Sequence, residues 1–271
     1  MLSIDPELAG LRAAIDRALP DLLPCGATIP RSLTRAMGHA VLSGGKRLRP
    51  ILTLAAAEFL GADPMSLMKS ACGIELVHQS SLVLNDLPCM DDNELRRGRP
   101  STQQMLGESS AIVGSVSLLC HGIDLVCENA EQLGIPAERA LLAIRGFTAA
   151  VGAAGMCGGQ ALHLDARPRG PALRRRIRQQ KTAVLFGAAA RTPALLLDAP
   201  AATVEALTSY GRALGDAFGL GDDILDNGIE PKAGRRLLVE RVDAAKQQLG
   251  AVEGRSSLLL CVADTILNRE A

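Results

Sequence analysis

An all-α fold follows from three observations. Of 271 residues, 48% are apolar but only 2% are aromatic, and Ala and Leu dominate. Both are strong helix formers, and small side chains let helices pack closely. Apolar residues recur at intervals of three and four, as in Leu8, Leu11, Ile15 and Leu19, which is helical spacing. No stretch of useful length alternates apolar and polar residues as a half-buried strand would. Neither a low-complexity linker nor a solenoid-length repeat divides the chain. One helical domain over 1–271 is the economical reading.

In chain order, a helix over 6–19 stops at Pro20, and Pro24, Gly26 and Pro30 mark a loop before a second helix over 31–42. Ser43, Gly44 and Gly45 break the chain ahead of Lys46, Arg47 and Arg49. A third helix spans 51–60, and Asp63 before Pro64 offers a cap for a long helix starting at 65. That helix ends near Asn85 and Asp86, because Pro88 follows. The spacing then predicts helices over 102–132, with Gly107 and Gly114 as candidate breaks, and over 137–164. Gly152, Gly155, Gly158 and Gly159 in the latter would admit close neighbours. A turn over 168–171, helices over 173–197 and 201–226, a loop over 227–234 and helices over 237–249 and 256–269 complete the chain.

The formal net charge is +0, so no global basic field favours nucleic acid. The same neutrality removes one barrier to self-association. The opening MLSIDPELAG has no basic segment leading into an apolar run, so no secretory signal is expected. The most apolar window, 184–202, is interrupted by Arg191 and Pro193 and bounded by Asp198. It reads as a core helix, and no transmembrane segment is expected. Seven cysteines are scattered without a Cys-x-x-Cys pair, which fits free thiols in the cytoplasm and argues against zinc.

The chemistry gathers in two acidic clusters and two basic ones. Within 75–100 (ELVHQSSLVLNDLPCMDDNELRRGRP), Asn85, Asp86, Asp91 and Asp92 lie at and just beyond the end of the long helix. A helix C-terminus is electronegative, so carboxylates gathered there call for a cation. Asp222, Asp223 and Asp226 form the second cluster, with Asp222 and Asp226 on one helical face. Two such clusters facing one cavity could hold Mg²⁺ through oxygen ligands, with bound phosphates completing each octahedron. A solvated acidic helix end competes on even terms for either cluster alone. Arg96, Arg97 and Arg99 follow the first cluster, and Lys46, Arg47 and Arg49 follow the glycine pair. Both groups suit phosphate oxygens. The glycine pair lacks the rest of a P-loop and a preceding strand. Lys181 beside Thr182 in an apolar helix needs an anionic partner. The run from Arg174 to Arg178 reads as a solvated face, and His78, two turns before Asn85, as a packed side chain.

Taken in order, GGKRLRP, DLPCMDDNELRRGRP, GMCGGQAL, Lys181-Thr182 and DDILD resemble the trans-isoprenyl diphosphate synthases, the farnesyl and geranylgeranyl diphosphate synthases among them. The resemblance runs from about Gly38 to Asp226. It implies a helical bundle around a deep central cavity, a homodimer, and condensation of isopentenyl diphosphate with dimethylallyl, geranyl or farnesyl diphosphate. Lys46, Arg49, His78 and Arg97 would hold isopentenyl diphosphate, and Arg96, Lys181 and Thr182 the allylic diphosphate. Gln160 would face the reacting carbons. Asn85, Asp86, Asp91, Asp222, Asp223 and Asp226 would hold Mg²⁺, and Asp86, Asp91, Asp222 and Asp223 with Lys181 would carry catalysis. Ser80 and Ser81, where family members that stop at C15 commonly place an aromatic residue, imply a deeper cavity and a C20 product, with C15 second.

Three departures support a second reading, a weakened or inactive homologue acting as a partner subunit. Asn85 replaces an aspartate, Gly219 stands where the family has a glutamine, and the segment after Asp226 is shortened. A terpene cyclase ranks third, since cyclases need aromatic walls and this chain has no Trp, one Tyr and four Phe.

Overall fold

The computed structural model describes residues 6–165, 170–226 and 231–268, with the side chains of Leu225, Asp226 and Pro231 excepted. Helices α1 (Pro6–Asp21), α2 (Arg31–Leu42) and α3 (Leu48–Phe59) lead to a 3-10 turn, Pro64–Leu67. The Asp63 side chain accepts the Met65 amide at 3.0 Å, the expected cap. The long helix α4 (Met68–Asn85) follows. Then come a two-residue hairpin, β1 (Leu95–Arg96) with β2 (Arg99–Pro100), and helices α5 (Thr102–Leu106), α6 (Glu108–Gln132), α7 (Ala137–Val151) and α8 (Met156–Asp165). Helices α9 (Pro171–Arg178), α10 (Val184–Leu196), α11 (Ala201–Asp226), α12 (Pro231–Leu249) and α13 (Ser257–Leu267) end the described chain.

Of the two candidate breaks one is used, and three elements differ from those expected. Gly107, at φ 85°, separates α5 from α6, whereas Gly114 stays helical. A Cβ on Gly114 would stand 2.8 Å from Ala36 Cβ, so that glycine serves the approach of α2 to α6. The expected helix over 137–164 breaks after Val151, with Gly155 in a turn where a Cβ would lie 2.1 Å from Ala150 O. A π turn, Gln179–Ala183, separates α9 from α10 inside the stretch expected as one helix. Helix α12 begins at Pro231, ahead of residue 237; residues 227–230 of the expected loop lie outside the described residues. The hairpin is the only strand pairing among the described residues, and its turn places Arg97 and Gly98 at φ 54° and 73°, the backbone of a type I′ turn.

Helices α3, α4 and α10 are buried on almost every side and form the centre of the core with Leu52, Ile74, Val77 and Phe186. Glycines set how close the others come. A Cβ on Gly73 would stand 2.4 Å from Gly122 O, fixing α4 against α6, and one on Gly215 would stand 2.5 Å from Ala183 Cα, fixing α11 against the π turn and α10. This glycine contact brings the second acidic cluster across from the first.

Two stretches, 108–132 and 137–165, are apolar and long enough by composition to cross a bilayer. The second is interrupted between Val151 and Met156, and its pieces of 15 and 10 residues fall short of the roughly 20 that a span needs. Helix α6 lays one side on α4, where Ser115 and Asn129 are buried and hydrogen-bonded to Ser80 and Ser70.

Candidate active site

Between α3, α4, α6, α7, α8, the π turn and α11 lies a cavity of about 520 Å³, within the usual range for small-molecule sites. Part of its lining is polar, with Arg49, His78, Asn85, Arg96, Lys181 and Asp222. The rest of the lining comes from Ser80, Ser81, Leu119, Val151, Leu164 and Phe218, among others.

The first acidic segment is held by its own helix end. Amides of Leu87, Asp91 and Asn93 donate to the carbonyls of Leu84, Asn85 and Asp86 at 3.2, 2.9 and 3.2 Å. The loop thus folds back to satisfy carbonyls that a helix C-terminus leaves unpaired. Asp86 is buried, and its carboxylate takes a bidentate ion pair from Arg96 and a 3.1 Å bond from Asn93 Nδ2. Asn85 faces the cavity. Asp91 lies 3.8 Å from Lys181 Nζ.

The three cations of GGKRLRP divide by role. Arg47, at φ 51°, turns inward and binds Glu75 at 2.6 Å, Asp16 at 2.9 Å and the Val41 carbonyl at 2.8 Å. It fixes the loop. Arg49 lines the cavity, its guanidinium 4.4 Å from the Phe186 ring centre and 3.2 Å from His78 Nε2. Its Nε has no hydrogen-bond partner. Burial pushes Arg49 down to about 10, against the opposing pull of Glu75 and Asp222. Burial, and then Arg49, Arg97, Arg47 and Arg96 in turn, push His78 well below the usual imidazole range, so it is neutral. Lys46 reaches over the Phe218 ring at 6.0 Å. Arg97 bonds the Gly44 carbonyl, and its guanidinium lies where a Cβ on Gly45 would stand 2.9 Å away. The glycine pair therefore lets the hairpin cations close onto the Lys46 loop. Cations gathered on this side suit an anion.

The opposite wall comes from the π turn, α8 and α11. Gly159 packs where a Cβ would be 2.3 Å from Lys181 N, which sets α8 against the turn. Lys181 Nζ is 2.8 Å from His163 Nδ1. Burial lowers the pKa of Lys181, opposed by Asp91, and burial followed by Lys181 lowers that of His163, so the neutral imidazole accepts. Gln160 touches Met90 Sδ at 3.9 Å, and its buried Oε1 has no hydrogen-bond partner. Thr182 and Asp222 line the cavity, while Asp223 accepts from Arg178 at 2.6 Å. Asp226 ends α11 with its side chain outside the described residues.

Two residues escaped the sequence reading. His163 stands three positions after Gln160, a spacing that places it near the same face. Arg178 is corrected outright: it is not part of a solvated run, since its side chain is only 10% exposed and bonded to acids on α11. Its neighbours Arg174, Arg175 and Arg176 are exposed.

Helices wrapped around a cavity lined by acids, cations and apolar side chains define an isoprenoid-synthase-type fold. Residues 30–236 match the Polyprenyl synthetase family. The chain is 35% identical over 212 residues to a farnesyl diphosphate synthase of Bacillus subtilis, covering 77% of this chain and 71% of that protein. It is 37% identical over 256 residues to a geranylgeranyl diphosphate synthase of Pseudescherichia vulneris, covering 90% and 82%. Among solved structures, an FPP/GFPP synthase from Zymomonas mobilis superposes with a TM-score of 0.88 at 29% identity, over 96% of this chain and 97% of that one. The chain belongs to the polyprenyl synthetase family, that of the trans-isoprenyl diphosphate synthases.

Proposed function

We propose that the protein is a Mg²⁺-dependent short-chain prenyltransferase that extends allylic diphosphates with isopentenyl diphosphate to geranylgeranyl diphosphate. The observation that carries the product is the cavity wall at Ser80 and Ser81. Ser80 is buried against Ser115 at 3.1 Å, and Ser81 bonds its own helix at His78 O. Neither places bulk in the path of a growing tail.

Among the described residues no group of three or more His, Cys, Asp or Glu is assembled as a metal site. Mg²⁺ takes one or two protein carboxylates and completes its shell with water and substrate phosphate, so it asks for no such group. Oxygens of Asn85, Asp91 and Asp222 would hold such an ion, Asn85 and Asp222 from the cavity lining and Asp91 from beside Lys181. When bound, the metal would supply charge that stabilises the departing diphosphate. Lys46, Arg49 and Arg97 would bind the diphosphate of isopentenyl diphosphate, and Arg96, Lys181 and Thr182 that of the allylic partner. As the allylic C1–O bond breaks, positive charge spreads over the allyl group. The unpartnered Gln160 Oε1 is a preorganised dipole for that charge. The double bond of isopentenyl diphosphate forms the new C–C bond to C1, and a proton passes from its C2 to the released pyrophosphate. Apolar walls keep water from the cation.

Five exposed apolar residues on α6 and α7 support a homodimer, and the seven free cysteines support a cytoplasmic setting. The deciding experiment is product analysis with purified protein, Mg²⁺, isopentenyl diphosphate and each of the three allylic primers. A C20 diphosphate is expected. Farnesyl diphosphate as the main product would overturn the chain length, and no product from any primer would favour the partner-subunit reading.

A further inference from the structure

Arg178 closes α9 and spans two turns of α11. Its Nε donates to Asp216 Oδ1 at 2.8 Å and its Nη1 to Asp223 Oδ2 at 2.6 Å. Asp216 is anchored on its other side, with Oδ2 3.6 Å from Arg241 Nε, and its side chain is 6% exposed. Between the two acids lies Gly219, where a Cβ would stand 2.5 Å from Arg178 Cγ and 2.8 Å from Cδ. The stem of Arg178 therefore occupies the space that a side chain at 219 would need. Only a glycine there lets the guanidinium reach Asp223.

We infer that Arg178 is a built-in cation of the second acidic cluster, neutralising Asp223 where a metal ion would otherwise bind, and that Gly219 admits it. This rests on the divalent-metal reading of the site. A guanidinium stays protonated at any working pH, and its charge-assisted bond to Asp223 is short and half-buried. A metal approaching Asp223 must displace that bond or accept repulsion from a fixed positive charge a few ångströms away. Asp222 lines the cavity on this wall and the neutral Asn85 lines it on the other. Divalent affinity follows the number of charged ligands, so Arg178 holds it low. It is a positioning residue: it acts through Asp223 and touches no reacting atom.

The test is direct Mn²⁺ binding, followed by electron paramagnetic resonance with inorganic pyrophosphate present, on the whole chain and four variants. Arg178→Gln and Gly219→Ala should each bind Mn²⁺ about tenfold more tightly, a difference of about 1.4 kcal/mol. Arg178→Lys, which keeps the charge, should stay near the parent. Asp216→Asn, which loosens the anchor and leaves the charge at Asp223, should lower the melting temperature more than it changes Mn²⁺ affinity. Should Arg178→Gln not fold, Gly219→Ala decides alone, because it displaces the stem and leaves every charge in place. Unchanged or weaker Mn²⁺ binding in the folded variants overturns this inference and leaves the metal reading standing. Absence of Mn²⁺ binding in the parent and all variants overturns both.

Discussion

Ser81 shows how much one side chain decides at the cavity wall. Its hydroxyl is satisfied within α4 by His78 O at 2.7 Å, so replacing it breaks no bond to another helix. Ser81→Phe would place a ring in the cavity, and the product should shift from C20 to C15 or shorter by chromatography of the dephosphorylated alcohols. Ser80→Phe should instead unsettle the protein, since its hydroxyl pairs with Ser115 in a closed contact. Overpacking there costs about 1–3 kcal/mol. His78 carries a pH dependence. Burial and four arginines hold its folded pKa well below 6.5, so the folded protein leaves it neutral where the unfolded chain binds a proton. Stability is then fully present above about pH 6.5 and falls as pH drops below it, by about 1.4 kcal/mol per unit for one group. His78→Gln should flatten that part of a melting-temperature profile measured from pH 7.5 to 5.5; an unchanged slope would assign it to other groups. At this scale the residue types of the site were legible and their division of labour was not. Lys46, Arg47 and Arg49 look alike in a string, and Arg47 becomes a buried strut because Glu75 and Asp16 lie far off in the chain. Arg178 was misread for the same reason, its acids standing 38 and 45 residues away.

Between elements, the glycine contacts carry the argument. Helices α4 and α6 touch backbone to backbone, with a Cβ on Gly122 placed 2.6 Å from Gly73 O and 2.8 Å from Val77 Cγ2. Gly122→Ala has no flexible neighbour to push aside, so the helices must separate. Urea unfolding should show a loss of about 1–3 kcal/mol, and the separation should also loosen the Ser80–Ser115 contact that closes the cavity wall. A loss within 0.5 kcal/mol would mean that α6 rolls to accommodate the methyl group. Helical periodicity marked most of the elements because apolar faces repeat wherever a helix lies on a core. It did not mark the break after Val151 or the π turn at Gln179–Ala183, since small and apolar residues run on through the first stretch and neither Pro nor Gly interrupts the second. Those irregular pieces are what bring Gln160, Lys181 and Thr182 to the cavity. The hairpin turn at Arg97 and Gly98 was equally silent, as two-residue strands leave no alternation to read.

For the whole molecule, the informative surface is an apolar one. Ile112, Val113 and Val116 on α6 are 43, 58 and 53% exposed, and Leu141 and Leu142 on α7 are 55 and 57% exposed. Ile112 and Val116 are one turn apart, and Val113 lies beside them, so α6 presents a stripe on the side away from α4. Composition alone made α6 apolar enough for a bilayer, but which side meets the core depends on packing. A stripe of this kind favours a like surface across a two-fold axis, where each residue meets its counterpart and no open filament grows. Light scattering on purified protein should then give about twice 28.3 kDa. A double variant, Val113→Glu with Val116→Glu, would set like charges against each other at the axis and should yield the single-chain mass. Because both side chains are exposed, its helical circular dichroism should stay that of the parent. A parent that runs as a single chain, or a variant that stays paired, would sink the dimer. Binding of the parent to phosphatidylcholine vesicles, abolished in the variant, would assign the stripe to a membrane surface.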